Sequence, residues 1–242
     1  MRRLFILLAV ISLSPTVFGQ EDDRLNTVYV NITHPVLFGD AYIVGYERVL
    51  RKDRSFTVNF GKLSLPKFGD EQDDDSVKLT GNSGNKGIHV GVDYRFYLNK
   101  ENKFEAPRGV YLAPFYSYNY SSRVNQWDLN TSTFNGVVST DLSFNVHTVG
   151  LQIGYQFVFW ERMAVDLVMC GPGVGFYKLE ASINTNLSPD QESLFFEKLN
   201  AYLEDKLPGY DLIIDESDFG RDGSAKTTTW GFRYMVNLGY RF

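Results

Sequence analysis

The chain alternates apolar and polar residues with period two, most clearly at its end. Residues 225–242 read AKTTTWGFRYMVNLGYRF. Trp230, Phe232, Tyr234, Val236, Leu238, Tyr240 and Phe242 share one parity, and Gly231, Arg233, Met235, Asn237, Gly239 and Arg241 share the other. Successive strand side chains point to opposite faces, so this segment predicts a strand with one wholly apolar face. The pattern recurs upstream. Within 27–34, Val28, Val30 and Ile32 oppose Tyr29, Asn31 and Thr33. Tyr42, Val44 and Tyr46 oppose Ile43, Gly45 and Glu47, and Phe56, Val58 and Phe60 oppose Thr57, Asn59 and Gly61. Ile88, Val90, Val92, Tyr94, Phe96 and Leu98 oppose His89, Gly91, Asp93, Arg95 and Tyr97. An aromatic strand over 109–120, a strand from Thr148 to Phe157 and a strand over 163–181 complete the series, the last bent at Gly171-Pro172-Gly173. That makes about eight strands.

The connections carry a second pattern. Those after strands two, four and six, near Lys52, Lys103 and Glu161, are the shorter ones; those over 66–86, 123–141 and 183–224 are long and polar. The first outer connection, 35–40, is short. Short turns at one end and long loops at the other are the habit of a membrane-spanning barrel. The expected fold is therefore all-β: a transmembrane antiparallel up-and-down β-barrel of about eight strands, with both termini on the periplasmic side. A soluble lipocalin-like barrel would have the same strand count with its apolar face inward. The polar parity favours the membrane form, because it holds Gly, Thr, Asn and Gln with a few charges of both signs, not the lysines and glutamates of a soluble exterior. Such residues suit the narrow, filled lumen of eight strands, and aromatic faces turned to water would aggregate.

Composition adds an address. Arg2 and Arg3 precede an apolar run from Leu4 to Leu13, and Val17 and Gly19 fit a signal-peptidase site, so 1–19 is expected to be a signal peptide and 20–242 the barrel domain. Taking those two arginines from the 24 basic residues leaves 22 against 29 acids, a formal charge of −7. That balance argues against a nucleic-acid partner. One cysteine, Cys170, excludes an internal disulfide framework. After the signal no apolar run approaches the roughly 18 residues of a membrane helix.

The final aromatic positions, Tyr240 and Phe242, resemble the terminal signature that the outer-membrane barrel-assembly machinery reads. Gly45-Tyr46-Glu47-Arg48-Val49-Leu50, Asp93-Tyr94-Arg95-Phe96-Tyr97, Gly109-Val110-Tyr111-Leu112-Ala113-Pro114-Phe115 and Gly239-Tyr240-Arg241-Phe242 resemble the motifs of a Bacteroidota family of small outer-membrane β-barrels of unknown function. The resemblance spans nearly all of the chain after the signal, departing at Asp93 and Ala113, where Glu and Gly are usual. It implies the outer membrane as location, with outer-membrane lipid and the assembly machinery as partners, and brings no activity or substrate.

Glu47, Asp93, Arg95, Asp166, Arg233 and Arg241 have lumen parity and are expected to form a structural charge network, since each buried charge needs a partner; the rival reading is a polar pathway through a pore. Ser143 and His147 share an outward face and invite a lipid-hydrolase reading, but no acid on that stretch orients the histidine. His34, His89 and His147 fit no metal-ligand spacing. The acidic run 70–75 lacks the glycine and terminal Glu of a calcium loop and reads as solvated surface. No cofactor or metal is expected. One helix is expected over 188–207, capped by Ser188 with Gln191 three residues on and stopped by Pro208-Gly209. Its stripe of Phe195, Leu199, Tyr202 and Leu203 should pack on the barrel mouth, or offer a surface to an unknown partner. The expected role is non-enzymatic, structural or interactive, through the outer loops.

Overall fold

The computed structural model describes residues 24–38, 40–63, 77–98, 104–130, 135–184, 187–206 and 224–242. The signal segment and the acidic run 70–75 lie outside them. Eight strands close in chain order: β1 (Asn26–Asn31), β2 (Tyr42–Arg51), β3 (Arg54–Lys62), β4 (Val77–Tyr97), β5 (Gly109–Asn130), β6 (Asn135–Phe159), β7 (Met163–Ile183) and β8 (Ser224–Arg241). Every pairing is antiparallel, and β1 closes on β8 from Thr27↔Arg241 to Asn31↔Asn237.

The register fixes the shape of the ring. Leu238 pairs with Val30, then the partners run Val44, Phe60, Val90, Tyr118, His147 and Phe176, returning to β8 at Thr228. The circuit comes back ten residues from its start. For eight strands that stagger corresponds to a tilt of about 40° and a lumen just wide enough for side chains to fill.

Polarity is inside out relative to a soluble protein. Val30, Tyr42, Phe60, Leu151, Trp230 and Phe232 point outward and are exposed, Phe232 at 77% and Leu151 at 64%. Glu47, Asp93, Arg95, Gln152, Gln156 and Asp166 point inward and are buried. On β8 the outward residues from Trp230 to Phe242 are all apolar or tyrosine and cover about 30 Å along the axis at this tilt, enough for the roughly 25 Å apolar band of a membrane barrel.

Above that band the polarity inverts. Segments 77–86 and 123–141, expected to be loop, are largely strand: β4 begins at Val77, β5 runs to Asn130 and β6 starts at Asn135. Here Ser143, Lys178, Glu180 and Lys226 point outward, while Trp127, Val138, Leu142, Leu179, Ala181 and Ala225 face inward and are buried. Their inner face receives a helix, α2 (Pro189–Lys206), through Phe195 and Leu199. The Trp127 indole donates to Thr140 Oγ1 at 2.8 Å, so its one polar atom is satisfied under the helix. The capping pair forms as the sequence implies, with Gln191 Oε1 accepting from Ser188 N at 2.9 Å and Ser188 Oγ accepting from Gln191 N at 3.4 Å. The barrel mouth is thus closed over by its own last connection, whose side chains at 202 and 203 lie outside the described ones.

Connection 35–40, expected as a plain turn, holds a six-residue helix, α1 (Thr33–Phe38). Asn31 Oδ1 accepts from His34 N at 2.8 Å and Thr33 Oγ1 accepts from Val236 N at 2.8 Å, which pin its start to β8. The turn before β7 places Trp160 and Glu161 at φ of 47° and 61°, the left-handed geometry of a tight hairpin. Among the described residues no helix is long and apolar enough to cross a membrane.

Replacing Phe195 with Ala removes about 3–5 kcal/mol of buried packing. We expect α2 to undock, read as faster protease cleavage within 189–206, with the strands below unaffected.

Candidate functional site

The lower half of the lumen is a single polar cluster around Arg95. It sits on β4, and β2, β6 and β7 bring its partners to the same height. Its Nε donates to Asp93 Oδ1 at 2.8 Å, Nη2 to Asp166 Oδ2 at 3.0 Å and Nη1 to Gln156 Oε1 at 3.1 Å, with Glu47 Oε1 3.6 Å away. Three carboxylates surround one guanidinium, and hydroxyl and amide groups complete the set. Tyr29 donates to Glu47 Oε2; Ser55 Oγ donates to Glu47 Oε1 at 2.5 Å. Tyr97 OH lies 2.9 Å from Glu47 Oε1 and 2.8 Å from Gln156 Oε1; Tyr111 OH donates to Asp166 Oδ1 at 2.7 Å. Asn237 Nδ2 donates to Asp166 Oδ2 at 3.0 Å, and Asn31 Nδ2 to Asn237 Oδ1 at 2.7 Å. The guanidinium also stacks on the Tyr111 ring, 4.5 Å from its centre.

Two glycines make room for this cluster. Gly154 lies directly across from Tyr111 and Gly239 across from Tyr29, and a Cβ at either would overlap the tyrosine ring.

Four of the six expected network residues therefore meet: Glu47, Asp93, Arg95 and Asp166. Arg241 does not join them. It sits at the end of β8, where Nη1 donates to the Glu161 carbonyl at 3.2 Å and Nη2 to the Arg24 carbonyl at 2.9 Å, tying the rim at which β1 begins and β8 ends. Parity gave its face correctly, but its height at the chain end puts it beyond reach of the cluster. Arg233 stands above them, over the Phe115 ring at 5.0 Å with Nη2 3.6 Å from Met235 Sδ, and Asp93 of the cluster is the acid whose charge acts on it most. The sequence reading missed Tyr29, Tyr97, Tyr111 and Gln156. Their parity matched that of the charges, and a satisfied buried network needed neutral donors as well as ions.

Above the cluster and below α2 is a cavity of about 380 Å³. Phe115, Phe144, Val146 and Met235 give it apolar walls, and Ser117, Asn119, Ser121, Thr148, His89, His34 and Arg233 bring polar groups to it. Two of these carry a buried atom that has no hydrogen-bond partner, Arg233 Nη1 and His89 Nε2. His89 Nδ1 lies 2.6 Å from Asn119 Oδ1, an arrangement that places the ring proton on Nδ1 and leaves Nε2 an acceptor. The His34 ring is 5.9 Å from that of His89, centre to centre. Among the described residues no three His, Cys, Asp or Glu side chains cluster to hold a metal.

Ser143 and His147 face outward on β6, four residues and so about 13 Å apart. His147 Nδ1 is 2.8 Å from Tyr116 OH, and Glu180, across from Ser143, is paired with Lys178 at 2.6 Å. Serine and histidine are too far apart to act as nucleophile and base.

Replacing Arg95 with Ala strands three carboxylates in the lumen. We expect about 3–5 kcal/mol of destabilisation, read as a lower urea midpoint for unfolding from lipid vesicles. Arg241→Ala, which frees only carbonyls at the rim, should cost far less.

No protein-family model matches the chain, and no curated relative matches it. Among solved structures it is similar to a major outer membrane protein from Thermus thermophilus, at 11% identity and a TM-score of 0.35, over 90% of this chain and 99% of that one.

Proposed function

We propose that this protein is an integral outer-membrane β-barrel with a closed lumen, non-enzymatic, serving the envelope structurally or through surface contacts of its outer extension. One observation carries the reading: a continuous belt of exposed aliphatic and aromatic side chains surrounds a buried charge network. Water outside would leave the belt unsatisfied, whereas lipid satisfies it. The soluble lipocalin-like alternative needs apolar residues within and polar ones without, the reverse of this arrangement. The motif resemblance to the Bacteroidota barrel family belongs to the same reading, as does assembly through Tyr240 and Phe242.

The Arg95 cluster speaks against a pore. Its side chains crowd the cross-section, and the ions are paired with one another and not aligned along a path. The outward strand extension and α2 form the surface available to a partner.

In isolated outer membranes the protein should resist cold detergent and shift in gel mobility on boiling; recovery in the soluble periplasm with no shift would overturn the reading. Reconstituted in planar bilayers it should give no unitary conductance. A His147→Ala strain should show unchanged envelope lipids, and loss of a lipid modification would revive the hydrolase.

A further inference from the structure

Among the described residues the ring is complete low down and incomplete above. β8 pairs with β7 along its length but with β1 only as far as Asn237, and the last backbone link on that side joins Ile32 N to Val236 O at 2.9 Å. On the far side of the low wall, β4 pairs with β3 only up to Ile88, with one further link from Leu63 N to Gly87 O at 3.2 Å. Among the described residues, the two tall edges of β8 and β4 are separated there by the tops of β1–β3 and by α1.

The cavity reaches this gap. It is lined by Arg233 and Met235, which point inward on β8, and also by Phe232 and Tyr234, which point outward on the same strand. A space lined by consecutive residues of both parities reaches the strand's edge, and among the described residues that edge of β8 is unpaired here. Its depth relative to lipid follows from β8. Lys226 is the first outward charge above the belt, and Phe232 and Tyr234 lie six and eight residues below it, about 15–20 Å down the axis. Both are exposed, at 77% and 58%. The rim therefore sits within the apolar belt, not in the water above it.

From this geometry we propose that the cavity is a binding site for a single-chain amphiphile with an anionic head, reached sideways from the outer leaflet between β8 and α1. The head, a carboxylate or phosphate, pairs with Arg233 Nη1, and a phosphate head that keeps one proton also donates it to His89 Nε2; both protein atoms are buried and unpaired. The chain lies along Phe115, Phe144, Val146 and Met235. A volume of about 380 Å³ is at the small end of ligand pockets, which rules out a multi-chain lipid held whole. A buried guanidinium nitrogen without a partner is costly, and a bound anion removes that cost.

The proposal rests on the membrane reading, and its test keeps the two apart. The full chain after the signal, folded in a neutral detergent and verified by its heat shift, is titrated with dodecanoate and dodecyl phosphate. Dodecanol serves as the headless control; acetate and inorganic phosphate serve as tailless ones. We expect saturable binding of the two anionic amphiphiles, at least tenfold weaker binding of dodecanol, and none of the tailless anions. Arg233→Gln should weaken the amphiphiles at least tenfold, Arg233→Lys should retain most of the affinity, and Ser117→Phe, which fills the cavity while leaving the cation, should abolish binding. Equal binding of dodecanol, or an Arg233→Gln variant that binds like the parent, would overturn the site. Tight binding of inorganic phosphate alone would mean a free-anion site and would overturn the amphiphile. A protein without a heat shift fails the membrane reading instead.

Discussion

Closure of the sheet is the constraint on which the rest depends. The β1–β8 ladder from Thr27↔Arg241 to Asn31↔Asn237 turns a twisted antiparallel sheet into a ring with no free edge at that level. With eight strands and a stagger of ten, the ring encloses a narrow space that side chains fill at the level of Arg95. A charge that points inward needs partners there. Arg95 finds them in Glu47, Asp93 and Asp166, and six neutral side chains (Tyr29, Ser55, Tyr97, Tyr111, Gln156 and Asn237) bond to the cluster around it. A polar interior of this kind is stable only when its partners are in place, because a half-satisfied buried network is worse than an apolar one. With its inside polar, the barrel leaves its apolar residues no place but the outer wall.

The upper barrel answers to a different solvent and is built the opposite way. Beyond Lys226 on β8 and Lys178 on β7 the outward positions are polar, and the inward ones change from charges to Trp127, Leu142 and Leu179. That inner surface needs an apolar cover, which α2 supplies with Phe195 and Leu199. Between the ionic cluster and this apolar cap lies a region where polar and apolar groups mix without full pairing, the cavity bearing Arg233 and His89. It lies at the level where, among the described residues, β1, β2 and β3 end and their taller neighbours do not.

What was legible in the sequence follows from this two-solvent design. Inside the belt, a strand has lipid on one face and lumen on the other, so alternation is strict and parity assigns even the lumen face of Glu47, Asp93, Arg95 and Asp166. Above the belt the same strands continue through 77–86, 123–130 and 135–141, but the outward positions become polar and outward residues such as Asp128, Ser139 and Asp141 look like loop. Period-two reading therefore stopped at the membrane surface, though the backbone did not. α2 was legible because capping at Ser188 and Gln191 and the spacing of Phe195 and Leu199 are local signals. α1 was hidden by its length and by Pro35 near its start. Parity fixes a face but not a height, which is why Arg241 was grouped with Arg95 and why Arg233, within reach of the Asp93 charge, still stands above the cluster. Pairing register alone separates them, and no single strand carries it.

The relation of the two faces to lipid can be measured along β8. Single spin labels placed in turn at positions 230 to 240, in protein folded into phospholipid vesicles with Cys170 replaced by Ser, report collision rates with oxygen and with a water-soluble nickel chelate. A lipid-embedded barrel gives oxygen accessibility that peaks at 230, 232, 234, 236, 238 and 240 and falls at the odd positions between, with the chelate excluded from the even ones. Chelate accessibility at the even positions would place the aromatic face in water and contradict a membrane barrel.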